Sequence, residues 1–157
     1  KSLFSSVVPN QFTLIKSFIQ KKFKTRCIEL KKLNLNKIMK IKVNRKQIGS
    51  DRLANSIAVF SKNKNFIILD FGTATTFDVV IGNVYNGGVI APGINLSLNT
   101  LINKATLRPS MNLKKMNIVI GNNTVNAVRS GFLWGYIGLI DNSIELIKEE
   151  EWYGEKL

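Results

Sequence analysis

Ile67-Ile68-Leu69-Asp70-Phe71-Gly72-Thr73-Ala74-Thr75-Thr76-Phe77-Asp78-Val79-Val80-Ile81 is the stretch around which the chain is arranged. An apolar run closes on an acid, a glycine opens a tight turn, three threonines fall within four positions, and a second apolar run leads away. The pattern predicts strand, turn, strand. Gly72 is free to adopt backbone angles that bring main-chain N–H groups close to an anion, and with Thr hydroxyls such groups form a concave phosphate cradle. Asp70, closing the first strand, stands where a carboxylate can hold a cation that offsets phosphate charge. The same residues also fit a plain Gly-Thr hairpin in which Asp70 only caps the turn.

Upstream, Gly49-Ser50-Asp51-Arg52 opens a small-residue and apolar segment, Leu53 to Phe60, which predicts a buried helix capped by Ser50 or Asp51. A carboxylate at a helix N-terminus accepts hydrogen bonds from the free N–H groups there, so Asp51 suits a cap or a proton acceptor. Arg52 suits a surface ion pair or a fork-shaped carboxylate donor. Nearer the start, Asn10 to Phe23 puts Phe12, Ile15, Phe18, Ile19 and Phe23 near helical spacing after a cap at Asn10. Arg26 to Leu30 predicts a short strand, and Leu33 to Val43 a polar connection ending in an edge strand.

Downstream, Asn83 to Gly88 carries turn chemistry, and Gly87 to Gly93 reads as a strand stopped by Pro92-Gly93. Asn95 to Ala105 predicts a helix, Arg108 to Lys115 a loop around Pro109, and Gly121-Asn122-Asn123-Thr124 the cap of a long helix running from near Val125 towards Glu151. Ser130, Gly131, Gly135 and Gly138 on that helix suit close packing against a sheet, a neighbouring helix or a second subunit.

Composition excludes several classes of function. The 157 residues are 45% hydrophobic and 21% charged, the make-up of one globular domain. One cysteine, Cys27, rules out an internal disulfide, and the absence of histidine removes the commonest zinc ligand. No apolar run approaches the roughly 18 residues of a membrane span and no signal peptide's apolar core opens the chain, so a cytoplasmic setting is expected. The net charge of +13 is uneven: residues 1–64 hold 16 Lys/Arg and 2 acids, residues 65–157 hold 7 and 8. A basic half suits an anionic partner, but zinc spacing, aromatic RNA-binding signatures and a clear helix-turn-helix are all missing. Nucleic acid is therefore disfavoured against an anionic substrate or simple solvated lysine faces.

In order, Ser5-Ser6-Val7-Val8-Pro9, Gly49-Ser50-Asp51-Arg52 with Asn55, Asp70-Phe71-Gly72-Thr73-Ala74-Thr75-Thr76-Phe77-Asp78, Gly87-Gly88 through Pro92-Gly93, and Gly121-Asn122-Asn123-Thr124 through Ser130-Gly131 resemble the type III pantothenate kinases. The resemblance implies an α/β, ribonuclease H-like (actin-like ATPase) fold, incomplete at the N- and C-termini. It implies one partial kinase region over 1–157, with 1–48 ending the first ATPase-like half and 49–157 carrying the substrate motif and second half. The implied reaction is transfer of the ATP γ-phosphoryl group to the primary hydroxyl of pantothenate, the opening step of coenzyme A synthesis. By motif, Asp51 matches the proton acceptor and Gly49, Ser50, Asp51 and Arg52 the pantothenate-binding segment. Thr124 matches a further pantothenate contact, Gly72 and Thr73 the ATP-binding turn, and Asp70 the ligand of a monovalent cation, potassium or ammonium. ATP with Mg²⁺ is the implied cofactor and a homodimer the implied assembly.

The chain opens on Lys1 rather than Met and ends without an obvious terminal strand, so both ends look cut, and the fragment alone is expected to be inactive. The family's Asp-x-Gly-Asn-Thr and C-terminal Gly-Gly segments have no counterpart in this sequence, and Lys42-Val43-Asn44-Arg45 stands where many members have Tyr-x-Asn-Pro. Two other functions compete. One is a non-catalytic binding or transcription-accessory relative that uses the basic half; the other is a kinase of the same superfamily acting on another small hydroxy acid.

Overall fold

The computed structural model describes residues 1–6, 8–61, 63–105 and 112–153, and the first half of the expected loop around Pro109, residues 108–111, lies outside them. Its contacts divide the chain into two compact units, Lys1–Ile68 with Asp78–Gly88, and Leu69–Phe77 with Val89–Leu157. By those contacts Gly49–Arg52 belongs with residues 1–48.

In the first unit, β1 (Ser2–Phe4) and β2 (Cys27–Glu29) pair in parallel, with Ser2 opposite Cys27 and Phe4 opposite Glu29. Parallel neighbours need a long crossover, and α1 (Pro9–Phe23) supplies it. The cap of this helix falls two residues earlier than the sequence predicts, at Val8 rather than Asn10, with Pro9 inside the first turn. Proline lacks the N–H that would otherwise go unbonded there, and its fixed φ already suits the helix. Two short 3₁₀ turns, Leu30–Lys32 and Leu35–Lys37, lead to β3 (Lys40–Ile41) and α2 (Ser50–Val59). The core beneath α2 gathers Leu30, Leu35, Met39, Ile48, Leu53, Val80 and Tyr85, all buried.

The predicted strand, turn, strand is present as β4 (Asn65–Phe71) and β5 (Ala74–Ile81), joined through Gly72-Thr73. The next strand, β6 (Val84–Pro92), starts earlier than the turn chemistry of Asn83 to Gly88 suggests. Gly82, at φ 57°, makes the reversal with Asn83 alone, and Gly87, at φ 119°, lies inside the strand in a conformation that other residues rarely adopt. Strand order is β3-β6-β5-β4, and Lys40 and Ile41 of the edge strand β3 lie parallel to Val84 and Tyr85.

The second unit carries α3 (Ile94–Lys104) and α4 (Thr124–Lys148), the latter ending in a π turn over Glu149–Tyr153. Asn123 caps α4 by accepting the Asn126 N–H at 2.9 Å, as the sequence predicts for this segment. Gly121 is required behind that cap, because a Cβ there would overlap the main chain of Asn126 and Ala127. Gly131, Gly135 and Gly138 behave differently: a Cβ at any of them would meet nothing within 4 Å. Tight helix-on-sheet packing is therefore not what these three glycines provide among the described residues.

Candidate functional site

Gly49, Ser50, Asp51 and Arg52 stand together at the start of α2. Gly49 is the cap residue, in an extended conformation, and its carbonyl accepts the Leu53 N–H at 3.2 Å to begin the helix. Neither Ser50 nor Asp51 occupies the cap position predicted for them, and the helix has no side-chain cap. Ser50 is buried with its hydroxyl unpartnered among the described residues. Asp51 is exposed, and its Oδ1 accepts the Arg52 N–H at 2.8 Å.

The arginine turns the other way. Its Nε and Nη2 both donate to Oδ1 of Asp78 at 2.7 Å, and the Tyr85 hydroxyl donates to the same oxygen at 2.6 Å. Asp78 and Tyr85 are fully buried, and the Arg52 side chain is 14% exposed. A carboxylate in the apolar run Phe77-Asp78-Val79-Val80 would be costly alone, and the guanidinium makes it tolerable. Burial works against the Arg52 charge, but the hydrogen bond and charge of Asp78 outweigh it and hold the guanidinium above its ordinary pKa. Burial also pushes the Tyr85 phenol up, the hydrogen bond to Asp78 and its negative charge add to this, and Arg52 opposes it only in part, so Tyr85 stays a donor.

Two cavities border this helix start. One of about 590 Å³ meets Gly49 and is walled by Lys16, Lys31 and Lys32 together with Glu29, which pairs with Lys32 at 3.3 Å, so its lining is positive on balance. The other, about 350 Å³, meets Arg52 and Tyr85 and is walled by Val43, Asn44, Gln47 and Gly87. The variant segment Lys42-Val43-Asn44-Arg45 thus lines the second cavity through Val43 and Asn44. Arg45 is engaged elsewhere, donating through Nη2 to the carbonyls of Lys31, at 2.8 Å, and Leu33.

The second unit holds the other predicted residues. Gly72 and Thr73 are exposed at the β4–β5 turn, and Asp70 is half-buried at the penultimate position of β4. The turn is fixed by main chain: Gly72 N–H donates to Ala74 O at 3.0 Å, and Gly93 N–H to Thr73 O at 2.9 Å. The conformational demand predicted at Gly72 falls instead on Gly93. Gly72 has no positive φ and a Cβ there would come no closer than 3.7 Å to Ala74 O, whereas one at Gly93 would overlap the carbonyl oxygens of Gly72 and Thr73. Tyr136 of α4 bonds the Thr75 hydroxyl and donates to Pro92 O at 3.2 Å, tying β5, β6 and α4 together behind the turn. Thr124 is exposed at the first position of α4. Among the described residues no three His, Cys, Asp or Glu side chains come together as a metal cluster.

The sequence motifs give Asp78 and Tyr85 no role. The signal was an acid inside a fully buried strand run, which has to find a cation somewhere in the fold.

The family model described as type III pantothenate kinase matches residues 1–146. The chain belongs to the type III pantothenate kinase family. Relatives bearing that name include one from Pelagibacter ubique, 65% identical over 96% of this chain and 60% of the relative. Others come from Koribacter versatilis (41%, covering 94% of this chain and 55% of the relative) and Roseobacter denitrificans (41%, 94% and 59%). The chain thus spans between 55% and 60% of the length of these curated relatives. The crystal structure of a Campylobacter jejuni protein, described as a conserved putative Baf family transcriptional activator, shares the fold with a TM-score of 0.61. It is 19% identical and the match covers 90% of this chain and 62% of that one. As a type III pantothenate kinase family member the chain has a mixed α/β architecture, and no helix among the described residues is long and apolar enough to cross a membrane.

Proposed function

We propose that this chain is the part of an ATP-dependent pantothenate kinase that holds the acceptor and half of the nucleotide site, on a ribonuclease H-like (actin-like ATPase) fold in the cytoplasm. The observation that carries the reading is the start of α2, where an exposed Asp51 carboxylate stands beside an arginine braced from within the core. Phosphoryl transfer needs oriented oxygens and charge compensation more than covalent chemistry from the protein. Asp51 orients the primary hydroxyl of pantothenate and takes its proton as the new bond to phosphorus forms. Gly49, Ser50 and Arg52 hold the substrate, with Thr124 as a further contact.

At the Gly72-Thr73 turn the Thr73 main-chain N–H and hydroxyl bind nucleotide phosphate beside Gly72, whose own N–H is given to Ala74 O at 3.0 Å. The turn is exposed and its shape is fixed by the close approach of Gly93 to the Gly72 and Thr73 carbonyls, both of which suit that role. Mg²⁺ carried by the nucleotide would supply charge compensation to the phosphates there. The Asp70 carboxylate, a hard oxygen donor at a strand end, suits a potassium or ammonium ion. A second copy of the chain is proposed to dock along α4, where the space over Gly131, Gly135 and Gly138 is open and Trp134 and Ile137 are 40% and 39% exposed.

Pantothenate-dependent ADP release by the full-length protein, with and without potassium or ammonium, tests this reading. Release that requires both pantothenate and the monovalent cation is expected. A folded full-length protein that releases ADP at the same rate without pantothenate would overturn it.

A further inference from the structure

Arg52 is held by two residues to which the sequence motifs give no role. Its planar guanidinium offers an Nε/Nη2 edge and a separate Nη1 group, and the first edge is consumed by one oxygen of Asp78 at 2.7 Å. The Arg52 side chain, 14% exposed, borders the cavity of about 350 Å³ that Tyr85 also lines. The Tyr85 hydroxyl donates to the same oxygen at 2.6 Å. Asp78 and Tyr85 are themselves fully buried, so neither group can swing away without disturbing the core around Leu53 and Val80. The same arginine's main-chain N–H holds Asp51 Oδ1 at 2.8 Å.

We infer that Asp78 and Tyr85 are positioning residues for the kinase reaction. They clamp the inner edge of Arg52 so that the part of the side chain bordering the cavity is presented to the acceptor substrate, a small hydroxy acid with hydrogen-bonding oxygens, while the first turn of α2 keeps Asp51 in register. Both act through Arg52. Tyr85 has a specific part in this arrangement. With two arginine nitrogens and a phenol converging on Oδ1, the phenol restricts where around that oxygen the guanidinium plane can lie.

This inference rests on the functional reading above, and the test separates the two. Steady-state kinetics of the full-length protein are measured for wild type, Tyr85→Phe, Asp78→Asn, Arg52→Lys and the double variant Arg52→Lys/Tyr85→Phe, with thermal melts of each. Tyr85→Phe keeps the ring and the packing, so it remains informative if Asp78→Asn fails to fold. Loss of one hydrogen bond to a charged site is expected to raise KM for pantothenate about tenfold with a smaller change in kcat and an unaltered KM for ATP. In the Arg52→Lys background the same change should add less than about twofold, because the clamped group is already gone. A merely structural Tyr85 would instead lower the melting temperature while leaving an active enzyme with an unchanged pantothenate KM, or would act equally in both backgrounds; either result overturns the positioning role. A wild-type protein that does not phosphorylate pantothenate at all overturns the functional reading, and the inference falls with it.

Discussion

The start of α2 and the β4–β5 turn are both predicted to handle phosphoryl transfer, yet they are built by opposite means. At α2 the shape depends on side-chain charge: Arg52 is pinned by buried Asp78, which Tyr85 shares. At the turn the shape depends on main chain, with Gly93 close enough to the Gly72 and Thr73 carbonyls that no side chain fits between. A site held by charge is sensitive to loss of a charge and tolerant of modest changes in volume. One held by close backbone approach has the reverse sensitivities. The two regions should therefore fail differently under substitution.

The largest effect is expected on the charged side. Asp78→Ala leaves the Arg52 guanidinium largely buried without its partner, and equilibrium unfolding should record a loss of about 3–5 kcal/mol. A loss near that of a surface ion pair, below about 1 kcal/mol, would mean that the pair contributes little and that the contrast between the regions is false. Next comes the backbone side. Gly93→Ala forces a methyl group into the turn's carbonyls and should cost about 1–3 kcal/mol by the same measurement, accompanied by weakened nucleotide binding. Weakened nucleotide binding without loss of stability would show that the turn adjusts locally.

A pH titration sharpens the comparison. The folded-state pKa of Tyr85 lies above the ordinary value of 10.0, so folding favours the neutral phenol. Its contribution to stability is whole below pH 10 and is lost as pH rises above it, with a slope of up to about 1.4 kcal/mol per pH unit for one proton. Tyr85→Phe should remove that alkaline component from the unfolding curve. The smallest effect is expected at Gly72→Ala, where φ is not positive and the nearest described atom to the new methyl lies at 3.7 Å. Stability should change by less than about 1 kcal/mol, so any large loss of nucleotide affinity there would report crowding of the ligand rather than damage to the fold.

Much of this contrast is legible in the sequence. The alternation of apolar runs around Asp70-Phe71-Gly72-Thr73 gave β4 and β5, and the Asn-rich segment before Thr124 gave the cap of α4, because both signals are local. The start of β6 was not legible. Gly87 and Gly88 read as turn residues, whereas Gly82 and Asn83 alone make the reversal. The Arg52–Asp78–Tyr85 cluster was out of reach for a different reason: its members lie 26 and 7 residues apart, on a helix and two strands that only tertiary packing brings together. The same holds for Gly93, whose necessity comes from a turn some twenty residues earlier in the chain. Glycines 131, 135 and 138 suggested close packing, and their surroundings among the described residues are open instead.

The most direct test of the central claim is single-turnover phosphorylation of pantothenate by the full-length protein with Asp51→Asn, compared with wild type at saturating ATP and pantothenate. Asparagine keeps the size of the exposed side chain and the acceptor for the Arg52 N–H but cannot take the hydroxyl proton. The rate of the chemical step is expected to fall by about 10²–10⁴-fold with little change in the melting temperature. A folded Asp51→Asn protein that transfers phosphate at close to the wild-type rate would contradict the account and remove Asp51 from the reaction.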